Sequence, residues 1–430
     1  MKKINTLVIG SGGRENALTH KISLSESCGQ LYICSGNPGT SKIAINMSIN
    51  LSNYYDIIRF CKSRDIGLVV VGPEQYLAEG IADKLRLEGI NVFGPSMEAS
   101  KLETSKEYAK NIMRQAGVPT ANYQVFNINE YHEAIRYLKE QLYPIVIKAD
   151  GLAAGKGVVI ANNIGEAENT VDEFFSGKFG ESSKKIIIEE FMKGDEASIF
   201  AICDGKDYFV LPASQDHKKI NDGEMGKNTG GMGSYCPTPL VNSEMMSKIE
   251  ELVIKPMVKQ MEINGTPFIG CLYAGLMITP DKEPKVVEFN VRFGDPETQA
   301  VLNVIEGDFL KLLYSASIGE IDKNAVKQVD NSFAVCLVLA SKGYPDNFEK
   351  GFEIQGLAEA ESVATIYHAG TIYDNGVIRT NGGRVLNVVA IDTNLFDAIT
   401  KVYKAASFIS YENKYNRNDI AVKGIQYLEW

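Results

Sequence analysis

The 430-residue sequence has no apolar run long enough to cross a bilayer. Its start, Met1-Lys2-Lys3, leads directly into a short apolar segment and lacks the longer apolar run of a signal peptide. We therefore expect no membrane association and a cytoplasmic location. The chain is too long for one typical core, so about three or four domains are expected.

The sequence also lacks an excess of positive charge. Its net charge of -10 argues against a nucleic-acid groove or an anionic membrane surface and leaves small molecules as the expected partners. The seven cysteines are odd in number and form no C-x-x-C pair, so they indicate buried thiols rather than disulfides or a zinc site. For the oligomeric state we expect a monomer, with a weak homodimer as the alternative.

The stretch 286–297 carries the strongest chemical pattern. A strand there would place Val287, Phe289, Val291 and Phe293 on one face and Glu288, Asn290 and Arg292 on the other. A carboxylate and a carboxamide about 6.6 Å apart can hold Mg²⁺ together with nucleotide phosphates, and the guanidinium can form a fork with an anion. The solvent-exposed face of a half-buried strand would alternate in the same way. The acidic ending Gly294-Asp295-Pro296-Glu297 and a phosphate-loop candidate upstream favour the chemical interpretation.

The first hundred residues alternate apolar runs with helical stretches, which predicts an open parallel α/β sheet. The predicted strands are 5–9, 31–34, 67–71 and 90–93, and the predicted helices are 17–24, 54–64 and 80–87. Glycine-containing turns follow the strands and should gather at the carboxyl edge of the sheet, where ligands bind. The first turn reads G-x-G-G rather than G-x-G-x-x-G, so a dinucleotide site is disfavoured.

A helix that leaves this first domain is predicted from Ser105, which can cap it, to Ala116, where Gly117 ends it. Lys106 lies in the first turn, where a cation is unfavourable unless an anion approaches. The simpler interpretation is that the Lys106 side chain is exposed to solvent and binds no anion.

Two short strands around residues 144–148 and 158–160 flank a run rich in glycine and lysine. The run is one residue shorter than a Walker loop and precedes a strand, so it predicts a hairpin flap rather than a P-loop. Such a flap can cover a triphosphate with backbone N–H groups, while Lys148 neutralises charge. An ordinary hairpin with a mobile tip is the alternative.

Further along, the chain offers polar segments between predicted strands. The end of a strand at Glu189-Glu190-Phe191 could pair with an adenine, and Glu196 could accept ribose hydroxyls. The segments 214–219 and 227–233 resemble loops that carry binding groups. No Ser-His-Asp or Cys-His arrangement surrounds His217, one of four histidines. Short strands with Asn-Gly turns after residue 328 predict a mostly antiparallel C-terminal domain.

Taken together, these motifs resemble the ATP-grasp superfamily, and more specifically its glycinamide ribonucleotide synthetases, over essentially the whole chain. The motifs that carry the resemblance are Gly12-Gly13-Arg14-Glu15, Gly36-Asn37-x-Gly39-Thr40, Gly72-Pro73-Glu74, 148–157, 214–218, 228–233, 289–297, His368-Ala369-Gly370-Thr371 and 380–385. The resemblance implies α/β and α+β domains in four parts: an N-terminal domain 1–104, two lobes of an ATP-grasp centre at 105–191 and 192–328, and a C-terminal domain 329–430.

The resemblance also implies a reaction. ATP would phosphorylate the carboxylate of glycine, and the amine of 5-phosphoribosylamine would attack the acyl phosphate, with Mg²⁺ or Mn²⁺ as cofactor. No protein nucleophile is required, because phosphoryl transfer asks mainly for positioning and charge neutralisation.

The residues implied by the likeness fall into four groups. Glu288 and Asn290 would hold the metal. Lys106, Lys148, Gly155, Lys156 and Gly157 would bind phosphates, and Glu189, Glu190, Phe191 and Glu196 the adenosine. Gly12, Gly13, Arg14, Asn37, Thr40 and Glu74 would line the phosphoribosylamine pocket. Arg292, Asp295, Lys148, Asp216 and Lys218 would face the reacting groups.

The chain departs from the family pattern at Asn16, where the family usually has histidine. The amide of Asn16 can replace one hydrogen bond of a histidine but cannot carry a proton.

The sequence leaves three other functions open: another ATP-grasp ligase with a different acceptor, a nucleotide-binding regulatory protein without turnover, and a nicotinamide-dependent oxidoreductase. Intact Glu288, Asn290, Lys148 and Arg292 argue against the second.

Overall fold

The structure, a computed structural model, describes residues 3–151, 157–178 and 180–428. The first part contains strands β1 (Ile4–Gly10), β2 (Cys28–Ser35), β3 (Ile45–Met47), β4 (Ile66–Val71) and β5 (Val92–Phe93). They pair in parallel in the order β3-β2-β1-β4-β5, which confirms the predicted open sheet. The helices are α1 (Gly13–Ser23), α2 (Tyr54–Ser63), α3 (Glu74–Ala78), α4 (Ile81–Leu87), α5 (Lys101–Thr104) and α6 (Lys106–Ala116).

The second part is a four-stranded antiparallel sheet with two helices. Its elements are β6 (Tyr123–Asn127), α7 (Tyr131–Lys139), β7 (Ile145–Ala149), β8 (Val158–Ala161), α8 (Ile164–Phe175) and β9 (Lys185–Glu190). The order β6-β9-β7-β8 makes β7 and β8 the two arms of the predicted hairpin. Residues 152–156 at its tip, including Gly155 and Lys156, lie outside the described residues.

The third part contains the predicted metal strand. Its strands are β10 (Asp195–Asp204), β11 (Tyr208–Val210), β12 (Gln215–Asp216), β13 (Lys219–Asn221), β14 (Met225–Asn228), β15 (Gly233–Cys236), β16 (Ile269–Ile278), β17 (Pro284–Asn290), β18 (Ile305–Gly307) and β19 (Val326–Gln328). Its helices are α9 (Ser243–Ile249), α10 (Lys255–Ile263), α11 (Glu297–Val301) and α12 (Phe309–Ser317). The main sheet has the antiparallel order β11-β10-β16-β17.

The C-terminal part adds β20 (Phe333–Ser341), α13 (Leu357–Glu361), β21 (Thr365–His368), β22 (Thr371–Asp374), β23 (Val377–Thr380), β24 (Arg384–Asp392), α14 (Leu395–Phe408), β25 (Lys414–Tyr415) and α15 (Val422–Gln426). Its sheet has the order β12-β15-β20-β24-β21 and is antiparallel, as predicted. Two strands from before residue 329 therefore belong to this sheet. The division into four parts at 104, 191 and 328 is retained as a proposal.

The predicted helix after residue 104 forms as α6. The Ser105 side chain accepts a hydrogen bond from the Tyr108 N–H at 3.1 Å, and Gly117 closes the helix with a left-handed φ of 69°. Both ends are thus set by local chemistry, since a side-chain acceptor satisfies a free N–H and glycine adopts positive φ without a steric cost.

The predicted face alternation of the metal strand is wrong at one residue. Strand β17 ends at Asn290, and its register with β16 skips Val287, which makes that residue a β-bulge. Val286 rather than Val287 is therefore buried with Phe289. The other residues predicted for the core face, Val291 and Phe293, are buried as expected.

Two further expectations can be compared with the described residues. None of their helices has the length and apolarity needed to span a membrane. All seven cysteines are free thiols, and six are buried while Cys28 is half-buried.

The end of α6 provides a test of the local analysis. A Cβ at Gly117 would meet no atom within 4 Å, so the cost of Gly117→Ala comes from the left-handed backbone alone. We expect a loss of about 1 kcal/mol in the free energy of unfolding, measured by urea denaturation. The matched control is Gly165→Ala within α8, where alanine meets only Asn163 Oδ1 at 3.4 Å and should be neutral or stabilising. Equal effects of the two substitutions would mean that the left-handed backbone at Gly117 adds no cost.

Candidate functional site

A cavity of about 510 Å³ lies where all four parts of the chain meet. The first part contributes Arg14, the second Lys148, the third Glu288 and the fourth Arg384. The predicted site residues that line it are Arg14, Glu74, Lys106, Lys148, Gly157, Glu189, Asp216, Lys218, Glu288, Asn290, Arg292 and Asp295. Residues far apart in sequence are therefore brought to one place.

Other predicted residues lie elsewhere in the described structure. They are Gly12, Gly13, Asn37, Thr40, Glu190, Phe191 and Glu196, none of which belongs to the described lining of this cavity. Gly12 lies beside it, because a Cβ there would come within 3.7 Å of Asp295 Oδ2. Their roles remain predictions.

Glu288 and Asn290 both face the cavity from β17. Burial opposes ionisation of Glu288, but nearby Lys218, Lys148, Lys106 and Arg292 outweigh it and lower its pKa. The carboxylate is thus held as an anion, and no hydrogen bond to it is found among the described residues.

Strand β17 offers two oxygen ligands for a hard divalent cation, from Glu288 and Asn290, which is fewer than such a cation needs. Asn290 Oδ1 has one donor, the Arg292 guanidinium at 3.3 Å. The described residues contain no group of three or more His, Cys, Asp or Glu side chains able to hold a metal. An ionised carboxylate and an amide oxygen fit Mg²⁺ that keeps its other ligands from phosphate and water.

Two of the cavity lysines lie near the base of the hairpin. Lys148 Nζ is 2.9 Å from Glu189 Oε2 and donates to the Val287 carbonyl at 3.2 Å. Lys106 Nζ donates to the Gly151 carbonyl at 3.0 Å, and burial lowers its pKa. Both ammonium groups therefore reach the cavity beside β17 and near the base of the hairpin.

The predicted adenine edge is more enclosed than the sequence indicated. Strand β9 lies between β6 and β7, so Glu189 and Glu190 are inside a sheet and Phe191 is the first residue beyond it. The Glu189 carboxylate is 2 % exposed and forms ion pairs with Lys148 and Lys110. Its Oε1 lies 3.2 Å from Lys110 Nζ but has no hydrogen bond of good geometry.

Arg292 is held between two carboxylates. Its guanidinium lies 3.3 Å from Glu74 and 3.0 Å from Glu103. Burial opposes its charge, but these two acids outweigh it and raise the pKa. The guanidinium is therefore fixed in the cavity as a permanent cation.

Asp295 is surrounded by donors. Gln299 Nε2 donates to it at 2.8 Å, and the Arg384 guanidinium lies 3.3 Å away. Burial is outweighed by Arg384 and Arg14, so the pKa of Asp295 is lowered and the group is ionised. Arg14 itself is anchored, with its guanidinium 2.5 Å from Glu15 and donating to the Phe293 carbonyl at 3.1 Å.

Asp216 and Lys218 also line the cavity. Burial raises the pKa of Asp216 to about 7, with Lys218 acting against the shift and Glu297 adding to it. Lys218 Nζ lies 2.7 Å from Glu196, whose predicted ribose contact is thus an ion pair in this structure. Asp216 is therefore an acidic group of the cavity whose protonation changes near neutral pH.

Asn37 and Thr40 use their side chains to build a turn. Asn37 Nδ2 donates to the carbonyls of Ser11 and His368, each at 2.8 Å, and its Oδ1 accepts from the Gly39 and Thr40 N–H groups. Their hydrogen-bonding groups support the loop after β2 and its contact with the C-terminal part.

Asn16, the predicted departure from the family pattern, has a similar linking role. Its Oδ1 accepts the backbone N–H of His368 at 2.8 Å, and the residue is 3 % exposed. The amide thus joins α1 to β21 and does not reach the described lining of the cavity.

Several lining residues were not predicted as site residues. They are Glu103, Lys110, Thr229, Gly230, Tyr273, Glu297 and Arg384. Glu297 belonged to the acidic strand ending, and Thr229, Gly230 and Arg384 lay within the motifs already noted. Glu103, Lys110 and Tyr273 carried no sequence signal, because only tertiary packing brings them here.

Three family profiles match the chain in order. Residues 4–103 match the N domain of phosphoribosylglycinamide synthetase, 104–298 its ATP-grasp (A) domain, and 334–423 its C domain.

Relatives of known name agree with these profiles. The phosphoribosylamine–glycine ligase of Rhizobium meliloti is 43% identical over 422 residues, which cover 98% of this chain and 99% of that protein. The crystal structure of the same ligase from Thermotoga maritima is 33% identical, covers 97% of this chain and 100% of its own, and superposes with a TM-score of 0.85. Biotin carboxylase from Campylobacter jejuni, at 15% identity, TM-score 0.71, and coverage of 96% and 93%, shares the fold alone.

Identity of this extent along nearly the full length, together with the three profiles, shows that the chain belongs to the phosphoribosylamine–glycine ligase family of ATP-grasp enzymes.

Proposed function

We propose that the chain joins glycine to 5-phosphoribosylamine with the consumption of ATP, releasing ADP and phosphate. The observation that carries this proposal is the convergence of Lys106, Lys148, Lys218 and Arg292 on Glu288 in one cavity. Such a set of cations suits phosphoryl transfer, which depends on positioning and charge stabilisation. The described lining contains no serine, cysteine or histidine that could act as a nucleophile.

Lys106, Lys148 and the flap residues through Gly157 would bind the triphosphate of ATP. Phosphate oxygens would then replace Glu189 as the partner of Lys148. Glu288 and Asn290 would hold a divalent cation, Mg²⁺ with Mn²⁺ as the alternative, which when bound neutralises phosphate charge. We retain the segment 189–191 and Glu196 as the proposed adenosine site.

Glycine would lie between Arg292 and Asp216. The guanidinium suits a carboxylate, and the buried carboxyl suits the ammonium group of the amino acid. One carboxylate oxygen of glycine attacks the terminal phosphorus, and the bond from that phosphorus to the ADP oxygen breaks. Arg292 and Lys148 stabilise the negative charge on the transferred group.

Phosphoribosylamine would enter from the side of the first domain, where we propose Gly12, Gly13, Arg14, Asn37, Thr40 and Glu74 as its binding residues. Asp295 would face the amine. The amine nitrogen attacks the acyl carbon, the carbon–oxygen bond to phosphate breaks, and the nitrogen loses a proton to give the amide.

The proposed function is tested by ADP release from ATP and glycine, with and without phosphoribosylamine generated in situ. We expect stoichiometric ADP, phosphate and amide only when both substrates are present. A panel of other amines and acids serves as the control, and faster turnover with a different acceptor would contradict the proposal.

Asn290→Ala tests the metal site. Removing one of two neighbouring protein ligands should lower Mg²⁺-dependent ADP release by about 100-fold or more while the fold is retained. The matched control is Asn264→Ala at the exposed end of α10, which should behave as wild type. Wild-type turnover in the Asn290 variant would refute the assignment.

Arg14→Ala tests the amine pocket. We expect the KM for phosphoribosylamine to rise about tenfold or more, equivalent to at least about 1.4 kcal/mol, with little change for ATP. Arg59→Ala on the exposed side of α2 is the control. The assignment fails if initial rates give an unchanged KM for the amine.

Asp216 predicts a pH dependence. Because its pKa is about 7 and glycine's ammonium would pair with the ionised form, the KM for glycine should fall about tenfold from pH 6 to pH 8. Asp216→Asn should raise this KM and make it independent of pH in the same window. A flat wild-type profile would rule out the proposed pairing.

A further inference from the structure

His217 lies between two residues of the cavity wall, Asp216 and Lys218, yet it is not part of the described lining. Its side chain is 2 % exposed, and both ring nitrogens are engaged. Nε2 accepts the Ala421 N–H at 2.9 Å, so Nδ1 carries the proton and donates to Glu224 Oε1 at 2.9 Å. The imidazole is therefore a neutral link between two segments rather than an acid or base for the cavity.

Glu224 and Ala421, the two hydrogen-bond partners of the His217 side chain, form with Arg417 and Asp419 a joint that we call the tail joint. Arg417 is fully buried and donates to Glu224 at 2.9 Å and to both oxygens of Asp419, at 2.7 and 2.8 Å. Burial of Glu224 is outweighed by the hydrogen bonds from His217 and Arg417, which lower its pKa to about 2. The joint is thus held by hydrogen bonds between opposite charges, which fix its geometry.

The chain around His217 is held from two sides. On one side the His217 N–H donates to the carbonyl of Gly233, the first residue of β15, and the His217 carbonyl accepts the N–H of Met232. On the other side Lys423 Nζ donates to the Asp216 carbonyl at 3.3 Å, next to the tail joint. The segment that carries Asp216 and Lys218 therefore has one support within its own sheet and one from residues 417–423.

We propose that His217 is a positioning residue through which the tail joint sets the placement of Asp216 and Lys218 toward the substrates. This inference rests on the proposed function. His217 is joined by peptide bonds to both residues, so a displacement of its backbone moves Asp216 and Lys218. A misplacement of about 1 Å at a reacting centre can cost about 100-fold in rate.

The test is His217→Asn in the full-length enzyme. The asparagine amide can still donate to Glu224 but is too short to accept from Ala421. We expect kcat to fall about 10- to 100-fold, with little change in the KM for ATP and with a shifted pH profile of the KM for glycine. The matched control is His132→Asn, an exposed histidine of α7, which should leave all three quantities unchanged.

Glu224 provides a second pair of variants, because its side chain is 45% exposed and its replacement is tolerated more easily than a core substitution. Glu224→Gln keeps an acceptor oxygen for His217 and should retain most activity, whereas Glu224→Ala should resemble His217→Asn. These two variants decide the question if His217→Asn fails to fold.

Wild-type kcat and an unshifted glycine profile in His217→Asn or Glu224→Ala would overturn the inference. Equal losses in Glu224→Gln and Glu224→Ala would also overturn it, since the hydrogen bond would then not matter. In wild-type enzyme, ¹⁵N spectra should place the ring proton on Nδ1, and a proton on Nε2 would contradict the link. If wild-type enzyme forms no amide, the proposed function fails instead.

Discussion

Opposite charges from four separate stretches of the chain balance each other around Glu288. A buried carboxylate is costly, and four cations, Lys106, Lys148, Lys218 and Arg292, keep this one ionised. Most of these cations in turn have a carboxylate partner: Lys148 with Glu189, Lys218 with Glu196, and Arg292 with Glu74 and Glu103. Because Arg292 pairs with Glu74 and Glu103 from the first part of the chain, the relative placement of these parts and the charge state of the cavity depend on each other.

This balance explains how one cavity can receive strongly charged substrates. Cations gathered without partners would repel one another, whereas here Glu189, Glu196, Glu74 and Glu103 lie beside them as ion-pair partners. Substrate anions would then meet cations that are already held in place. Such preorganisation is the main contribution that a protein can make to phosphoryl transfer.

Features that depend on neighbouring residues can be predicted from the sequence. Ser105 and Gly117 set the ends of α6 because a cap and a left-handed residue act on their immediate neighbours. The pair Glu288 and Asn290 was found because both belong to one strand. The predicted face of Val287 is wrong because a bulge depends on the partner strand β16, which alternation cannot reveal.

Contacts between residues that are distant in sequence follow no spacing pattern. Examples are the positions of Glu103 and Lys110 in the cavity lining and the hydrogen bond between His217 and Ala421.

The central claim is that glycine is activated in this cavity as an acyl phosphate without any covalent link to the protein. The most direct measurement uses glycine with ¹⁸O in both carboxylate oxygens and follows the label by mass spectrometry during turnover with ATP and phosphoribosylamine. The account predicts one ¹⁸O in each phosphate released and one in each amide formed. Phosphate without label would contradict it, because the carboxylate oxygen would then never have been bonded to phosphorus.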